Sequence, residues 1–256
     1  MQGGLHVRQI GQGAQPMLAL HCALAHGGIW AGLAALRPDL RLIAPDLPGH
    51  GKSPDWDGGP DLHGQATRAA AALIQAQGAP LPVLGHSFGA TVALRLALER
   101  PDLVTRLVLV EPVLFAAARA AGAACYPAFA ADHHAIAVLV QAGAMGAAAE
   151  RFHARWGAGA LADLPPWQRD YVVARMPLVM AQNGVLERDD AGLLAPWRLE
   201  GLGLPVDLVE GTESPPVVAA IHDELARRLP QVRRTRVAGA GHMLPLTHPA
   251  ALAAVI

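Results

Sequence analysis

The chain is short of charge, of aromatic rings and of cysteine. Charged residues make up 16% of its 256 residues and aromatic residues 4%, and the only cysteines are Cys22 and Cys125. Two cysteines far apart, with no CxxC spacing, indicate neither a disulfide framework nor a metal knuckle. No cofactor and no metal are expected. The formal net charge is −1 and Lys and Arg form no run, so the chain carries none of the basic footprint of a nucleic-acid partner. An unbroken apolar stretch of membrane length is also missing. The longest weakly charged stretch, Ala69 to Leu94, is interrupted by Gly78, Pro80, Pro82 and Gly85, which argues against a membrane association. The opening stretch has no basic segment followed by an apolar one, so it does not read as a secretory leader and a cytoplasmic location is expected. What is present is a hydrophobic content of 52%, ample for a sizeable core in a chain of this length. The sequence carries no signal for oligomeric state.

Short apolar runs alternate with helical patterns. Strands are expected at Leu5–Ile10, Met17–His21, Leu40–Ala44, Leu81–Gly85 and Leu103–Val110. Helices are expected at Ile29–Leu36, Asp61–Gln77 and Phe88–Glu99. Continuous apolar strands separated by helices are the pattern of a mostly parallel sheet covered on both faces, hence an α/β fold. From about Val113 to Pro196 the pattern is helical, with no convincing strand. Strands return at Pro205–Val209 and Arg233–Val237, with helices at Val217–Arg228 and Pro249–Ile256. The expected division is a core of residues 1–112 and 197–256, with residues 113–196 inserted as a helical cap.

The sharpest motif is Gly85-His86-Ser87-Phe88-Gly89, a G-x-S-x-G pentapeptide between an apolar strand and a helix. That setting is the one a nucleophile elbow requires. The turn is tight enough that glycine is needed two residues either side of the serine. Ser87 would stand at a helix N-terminus, where the dipole favours developing negative charge. The bland alternative is that Ser87 is only a helix cap. Gly51-Lys52-Ser53 ends like a phosphate-binding loop, but its required first glycine would fall on Asp46, so nucleotide binding is rejected.

In several separated places the sequence resembles the α/β-hydrolase family, in its serine hydrolase and esterase-like branch. The stretch from Leu20-His21-Cys22-Ala23 to Trp30 is similar to the family's oxyanion loop. Asp46-Leu47-Pro48-Gly49-His50-Gly51-Lys52-Ser53 is similar to its D-x-P-G-x-G-x-S segment. Ala240-Gly241-His242-Met243 is similar to its catalytic-histidine loop. The resemblance covers nearly the whole chain apart from the helical insertion. It implies an α/β-hydrolase fold, with Ser87 as nucleophile and His242 as general base. It also implies an oxyanion hole from the backbone N–H groups of Phe88 and Ala23. Cys22 stands where the family usually has glycine. No base is evident beside it, so it reads as a small buried thiol. Among the other histidines, His86 is expected to point away from Ser87, His21 to brace the oxyanion loop and His248 to start a helix. The adjacent His133 and His134 face different directions on a helix and make a poor metal pair.

The acid that orients His242 has two candidates. The family's usual position, after the strand Val206–Val209, falls on Ser214, which is no carboxylate; Glu213 is its neighbour. Glu111 closes the strand Leu107–Val110, a place some family members use instead. We favour Glu111 over Glu213. Asp207 and Glu210 lie within a strand and suit the role less. The expected reaction is cleavage of a small, largely apolar ester-like substrate through an acyl-enzyme. A carbon–carbon bond hydrolase or a lyase could use the same triad, and a non-catalytic small-molecule-binding homologue would keep the fold. Whether a carboxylate reaches His242 Nδ1 discriminates the last of these.

Overall fold

A computed structural model describes residues 4–256; the first three residues of the opening stretch, which also begin the expected 1–112 core, lie outside the described residues. Seven strands form one sheet: β1 (Val7–Ile10), β2 (Gln15–Leu20), β3 (Leu40–Pro45), β4 (Leu81–His86), β5 (Val104–Val110), β6 (Val206–Gly211) and β7 (Val232–Val237). Their order is β1-β3-β2-β4-β5-β6-β7. β1 runs antiparallel to β3, and every other pairing is parallel.

The sheet is apolar on both faces, and the alternation along each strand sorts its residues into two cores. Leu18, Leu20, Val83, Leu107, Leu109, Val206 and Leu208 face one core. Met17, Ala19, Leu84, Val108, Val110 and Val209 face the other. Successive strand side chains point to opposite faces, so a strand buried on both sides reads as a continuous apolar run. The first core is completed by α2 (Leu62–Gln75), α3 (Phe88–Glu99) and α10 (Pro216–Arg228). The second is completed by α1 (Ala31–Leu36), α11 (Leu244–Thr247) and α12 (Pro249–Ala253). Two sequence expectations differ here. The stretch Ile29–Leu36 begins in a 3₁₀ turn, Gly27–Trp30, capped by His26. The last helix, expected at Pro249–Ile256, ends at Ala253 as α12, and His248 stands at its N-terminus as expected.

Between β5 and β6 the chain forms six α-helices, α4 (Phe115–Ala120), α5 (Tyr126–Gln141), α6 (Met145–Trp156), α7 (Pro166–Ala174), α8 (Met176–Ala181) and α9 (Asn183–Leu186), with a 3₁₀ turn at Leu161–Asp163 between α6 and α7. α4 packs on α10. Ile136, Ala148, Ala149, Met176 and Val179 form a separate small core among α5, α6 and α8. Phe129 and Trp156 join the main core below.

The last strand carries charge because it is an edge. Its Arg233 pairs with Asp207, while Arg234 and Arg236 pair with Glu210. Arg106 on β5 also holds Asp207, at 2.5 Å. The two acidic residues of β6 are thus engaged in ion pairs at the sheet edge. Charged side chains at such an edge oppose pairing with another chain.

Candidate active site

Parallel strands bring their carboxyl ends to one rim, and the order of this sheet reverses between β2 and β4. Crevices form at such reversals. The loop after β2 and the turn after β4 meet there.

The β4–α3 turn sets Ser87 in an unusual backbone conformation, φ 55° and ψ −116°. Its side chain makes no capping hydrogen bond, which corrects the helix-cap reading. Space explains the flanking glycines. A Cβ on Gly85 would lie 2.4 Å from the Gly89 carbonyl oxygen, and one on Gly89 would lie 2.4 Å from that of Leu20. The Ser87 N–H donates to the Val110 carbonyl at 2.9 Å, tying the elbow to β5. The hydroxyl is left to face His242: Ser87 Oγ and His242 Nε2 are 3.0 Å apart.

His242 arrives from the loop after β7. Its Nδ1 lies 2.9 Å from Glu111 Oε2, so Nδ1 carries the proton and Nε2 is left as an acceptor toward the serine. All three side chains are buried, Glu111 completely. Trp156 packs edge-on to the imidazole, with ring centroids 4.6 Å apart. His86 is directed at the histidine loop: its Nε2 donates to the His242 carbonyl at 2.8 Å. Burial, followed by the neighbouring His242, pushes His86 down to about 3, so it braces this loop as a neutral ring.

Glu111 follows β5 with φ 52°, a conformation costly for a non-glycine residue. Its Oε1 accepts from the Gly211 N–H and from the Ser214 hydroxyl, both at 2.7 Å. Burial alone raises the carboxyl. The hydrogen bond and charge of His242, then the Gly211 N–H and the Ser214 hydroxyl, outweigh burial and hold it below the ordinary glutamate value. Glu213 is exposed and reaches no residue of this chain of contacts. Its N–H bonds the Ala240 carbonyl instead. Of the two candidate carboxylates, the structure therefore brings Glu111 to His242.

The loop after β2 turns at Leu24, which has φ 60°. His21 braces it from both ring nitrogens: Nδ1 meets the Cys22 carbonyl at 2.7 Å and Nε2 accepts from the Leu47 N–H at 2.8 Å. Among the described residues, neither the Ala23 nor the Phe88 N–H donates to another protein group. Cys22 is buried, and burial pushes its thiol up to about 12, where a thiolate is scarce.

Asp46 organises the neighbouring loop. Its carboxylate accepts from the Gly27 N–H at 2.8 Å and the Lys52 N–H at 2.9 Å, and it meets His6 and Arg8. The Ser53 hydroxyl donates to the Asp46 carbonyl. A Cβ on Gly51 would lie 2.2 Å from this carboxylate. The D-x-P-G-x-G-x-S segment is thus a self-bonded turn. Tyr171 of α7 joins it to the β2 loop by accepting from the Gly51 N–H at 2.7 Å and donating to the Ala25 carbonyl at 3.2 Å.

Above Ser87 and His242 lies a cavity of about 310 Å³, walled by Phe152, Trp156, Trp167, Val172 and Leu246 among others. Half of its lining residues come from α6, α7 and the loop between them, and the rest from the β2 loop, the elbow and the segment around His242. His133 is not part of a metal site: among the described residues no cluster of three potential ligands exists. It faces Asn183 and Glu187. Sequence reasoning missed Ser214, Trp156 and His86 as members of the site. Ser214 was legible only as a missing acid, and nothing in the spacing marks Trp156.

Known proteins carry related sequences and folds. A family model described as the alpha/beta hydrolase fold matches residues 15–249. Lipase LipV of Mycobacterium tuberculosis is 45% identical over 112 residues, a stretch covering 43% of this chain and only 42% of that protein. A pimeloyl-(acyl-carrier protein) methyl ester esterase of Aromatoleum aromaticum is 30% identical over 246 residues, covering 89% of this chain and 91% of that protein. The fold is similar to that of a hydrolase from Pseudomonas aeruginosa, with TM-score 0.75 and 23% identity over 97% of this chain and 91% of that one. It is also similar to a thermophilic esterase from Thermogutta terrifontis, with TM-score 0.72 and 22% identity over 98% and 90% of the two chains. The chain belongs to the alpha/beta hydrolase fold family.

Proposed function

We propose that the protein is a serine carboxylic-ester hydrolase acting on a small, largely apolar ester. The observation that carries this reading is the unbroken chain of hydrogen bonds from Ser87 Oγ through His242 to Glu111, at the floor of an apolar cavity. The relatives named lipase and methyl ester esterase support the same chemistry.

Ser87 Oγ attacks the ester carbonyl carbon while its proton passes to His242 Nε2. The carbonyl oxygen becomes an oxyanion, held by the Phe88 and Ala23 N–H groups. The carbon–oxygen bond to the alcohol breaks, and the alcohol leaves with the proton from His242. Water then attacks the acyl-serine, gives its proton to His242 and releases the acid, and the proton returns to Ser87. Glu111 keeps the proton on Nδ1 and stabilises the imidazolium. No step draws on a cofactor.

We read residues 113–196 as a cap that selects the substrate. Tyr171 and Arg175 tie it to the core: Arg175 Nε donates to the Gly49 carbonyl at 3.0 Å, and its guanidinium lies 3.8 Å above the Tyr171 ring. The aromatic wall it contributes suits uncharged groups.

The test is covalent labelling by a fluorophosphonate probe, read by intact mass. One adduct on the native protein and none on Ser87→Ala is the expected result. A folded native protein that takes no adduct would overturn the assignment.

A further inference from the structure

Two cavities of very unequal size meet at the nucleophile. The main one measures about 310 Å³ and the second about 30 Å³, room for about two methyl-sized groups. Ser87, Ala23, Phe152 and Trp156 line both. The small cavity is closed by Val113, Phe115 and Leu186, all buried members of the main core. Phe115 is fixed in turn by Phe129 and Trp156, at ring-centroid distances of 4.3 Å and 5.9 Å. His133 and Gln182 border the space, but their unpartnered atoms, Nδ1 and Nε2, are sealed from it. The wall is therefore apolar and close-packed, and an extra methylene would force its side chains out of their preferred positions.

The main cavity has the opposite character. Trp167 on α7 is 64% exposed and Leu246 on α11 is 50% exposed, and both line it. It thus ends in an apolar mouth at the surface rather than in a wall, and a group held there can grow outward.

His242 tells the two sides of an ester apart. At the tetrahedral carbon the oxyanion points to the Phe88 and Ala23 N–H groups. The leaving oxygen has to face His242 Nε2, which returns the proton to it. The acyl substituent takes the remaining direction, away from the imidazole. Among the described residues, His242 lines the main cavity but not the small one. We infer that the alcohol side of the substrate occupies the main cavity and the acyl side the small one, so that the substrate is an acetate or propionate of a larger, apolar alcohol. Val113, Phe115 and Leu186 set the acyl limit, and none of them takes part in bond making. This inference rests on the serine-esterase reading given above and adds which side of the ester is small.

The experiment uses two series of esters. In one the alcohol is benzyl alcohol throughout, and the acyl group runs from acetyl through propionyl and butyryl to hexanoyl. In the other the acyl group is acetyl throughout, and the alcohol runs from methyl through butyl to benzyl. From propionyl to hexanoyl, kcat/KM should fall by about 10- to 100-fold; along the alcohol series it should rise. In Leu186→Ala, which enlarges the small cavity, the hexanoyl-to-propionyl ratio should rise by about tenfold. A kcat/KM that holds level or rises with acyl length, or one that fails to rise with alcohol size, overturns the proposal. A preference for methyl esters of long acids does so by reversing the two sides. An acyl limit that a folded Leu186→Ala leaves in place puts that limit outside this cavity and overturns the proposal as well. The native series decide the matter even if the variant fails to fold. Fluorophosphonate labelling of the same protein separates the outcomes: a labelled serine with no acyl limit, or with no turnover of any acetate, rejects this division of the site alone, and no labelling rejects the esterase reading beneath it.

Discussion

The Ser214 hydroxyl donates to Glu111 Oε1 at 2.7 Å, while Oε2 of the same carboxylate meets His242. The two residues come from neighbouring strand ends, after β6 and after β5. The position after β6 is where the family resemblance expects an acid. Here it holds a hydroxyl that helps to solvate the acid on the next strand. Glu111 is completely buried, and a bare carboxylate there would be costly. The Gly211 N–H and the Ser214 hydroxyl offset that cost and keep the side chain ionised.

Substitutions along this contact should separate the two carboxylates. Glu111→Gln keeps the shape but removes the charge that stabilises an imidazolium, and kcat should fall by about 10²- to 10⁴-fold. Ser214→Ala removes one hydrogen bond to a charged group and should cost about tenfold. Glu213→Gln should change kcat by less than about twofold, since this side chain is exposed and away from His242. Steady-state hydrolysis of an activated ester measures all three. A larger loss in Glu213→Gln than in Glu111→Gln would reverse the assignment.

Much of this arrangement was legible in the sequence, and the exceptions have physical causes. The helix Phe88–Glu99 falls where it was expected because Pro101 and the elbow fix both of its ends. Strands buried on both faces were visible as apolar runs. Ser87 and His242 were readable because each sits in a glycine-marked loop at a strand end. Glu111 was ambiguous because a carboxylate after a strand looks the same whether it meets a histidine or solvent. Its partner is 131 residues away, and only the sheet order brings β5 and β7 to the same rim. Trp156 was invisible for the same reason: it sits on a helix whose one-dimensional pattern records burial, not what lies beneath.

The elbow makes a sharp prediction about size. Alanine at position 85 would place its Cβ 2.4 Å from the Gly89 carbonyl oxygen and 2.6 Å from the Ala90 Cα. Both are backbone atoms, so no side chain can swing aside. Gly85→Ala should destabilise the protein by about 3 kcal/mol. Gly146 lies in helix α6 with nothing within 4 Å of its would-be Cβ. There the same change should stabilise by about 0.5–1 kcal/mol, through the lower entropy cost of alanine in a helix. Urea titration of both variants checks the opposite signs. A neutral Gly85→Ala would mean that the elbow is looser than its contacts imply.

The two cysteines should differ toward an alkylating reagent. Cys22 lines the main cavity beside Ser87, yet it is buried and its thiol is pushed up to about 12. Cys125 is partly exposed at the start of α5. Iodoacetamide at neutral pH should modify Cys125 and leave Cys22 intact while the protein is folded, with esterase activity retained. Peptide mass mapping distinguishes the two sites. Rapid modification of Cys22 with matching loss of activity would make the thiol a participant in the chemistry.

Acid should unfold the protein through its histidines. His21, His50, His63, His86 and His222 are buried. Burial, the largest cause at each, pushes His21, His63 and His86 down to about 3, and His50 and His222 down to about 4. In the unfolded chain a histidine titrates near 6.5, or about that value. Between these limits the unfolded state binds more protons than the folded one, so stability rises with pH through the window and is lost as pH falls. Each pKa unit is worth about 1.4 kcal/mol, and five such groups together exceed the roughly 5–15 kcal/mol that a domain has to lose. Glu111 adds to this only lower down, as pH falls below the ordinary glutamate range, because its folded value is depressed. Unfolding is therefore expected between about pH 6 and about pH 4. The slope of stability against pH there should correspond to uptake of several protons. Circular dichroism across urea gradients at stepped pH measures that slope. A protein that stayed folded below about pH 3.5 would mean that these histidines accept protons in place, with the interior opening to solvent around them.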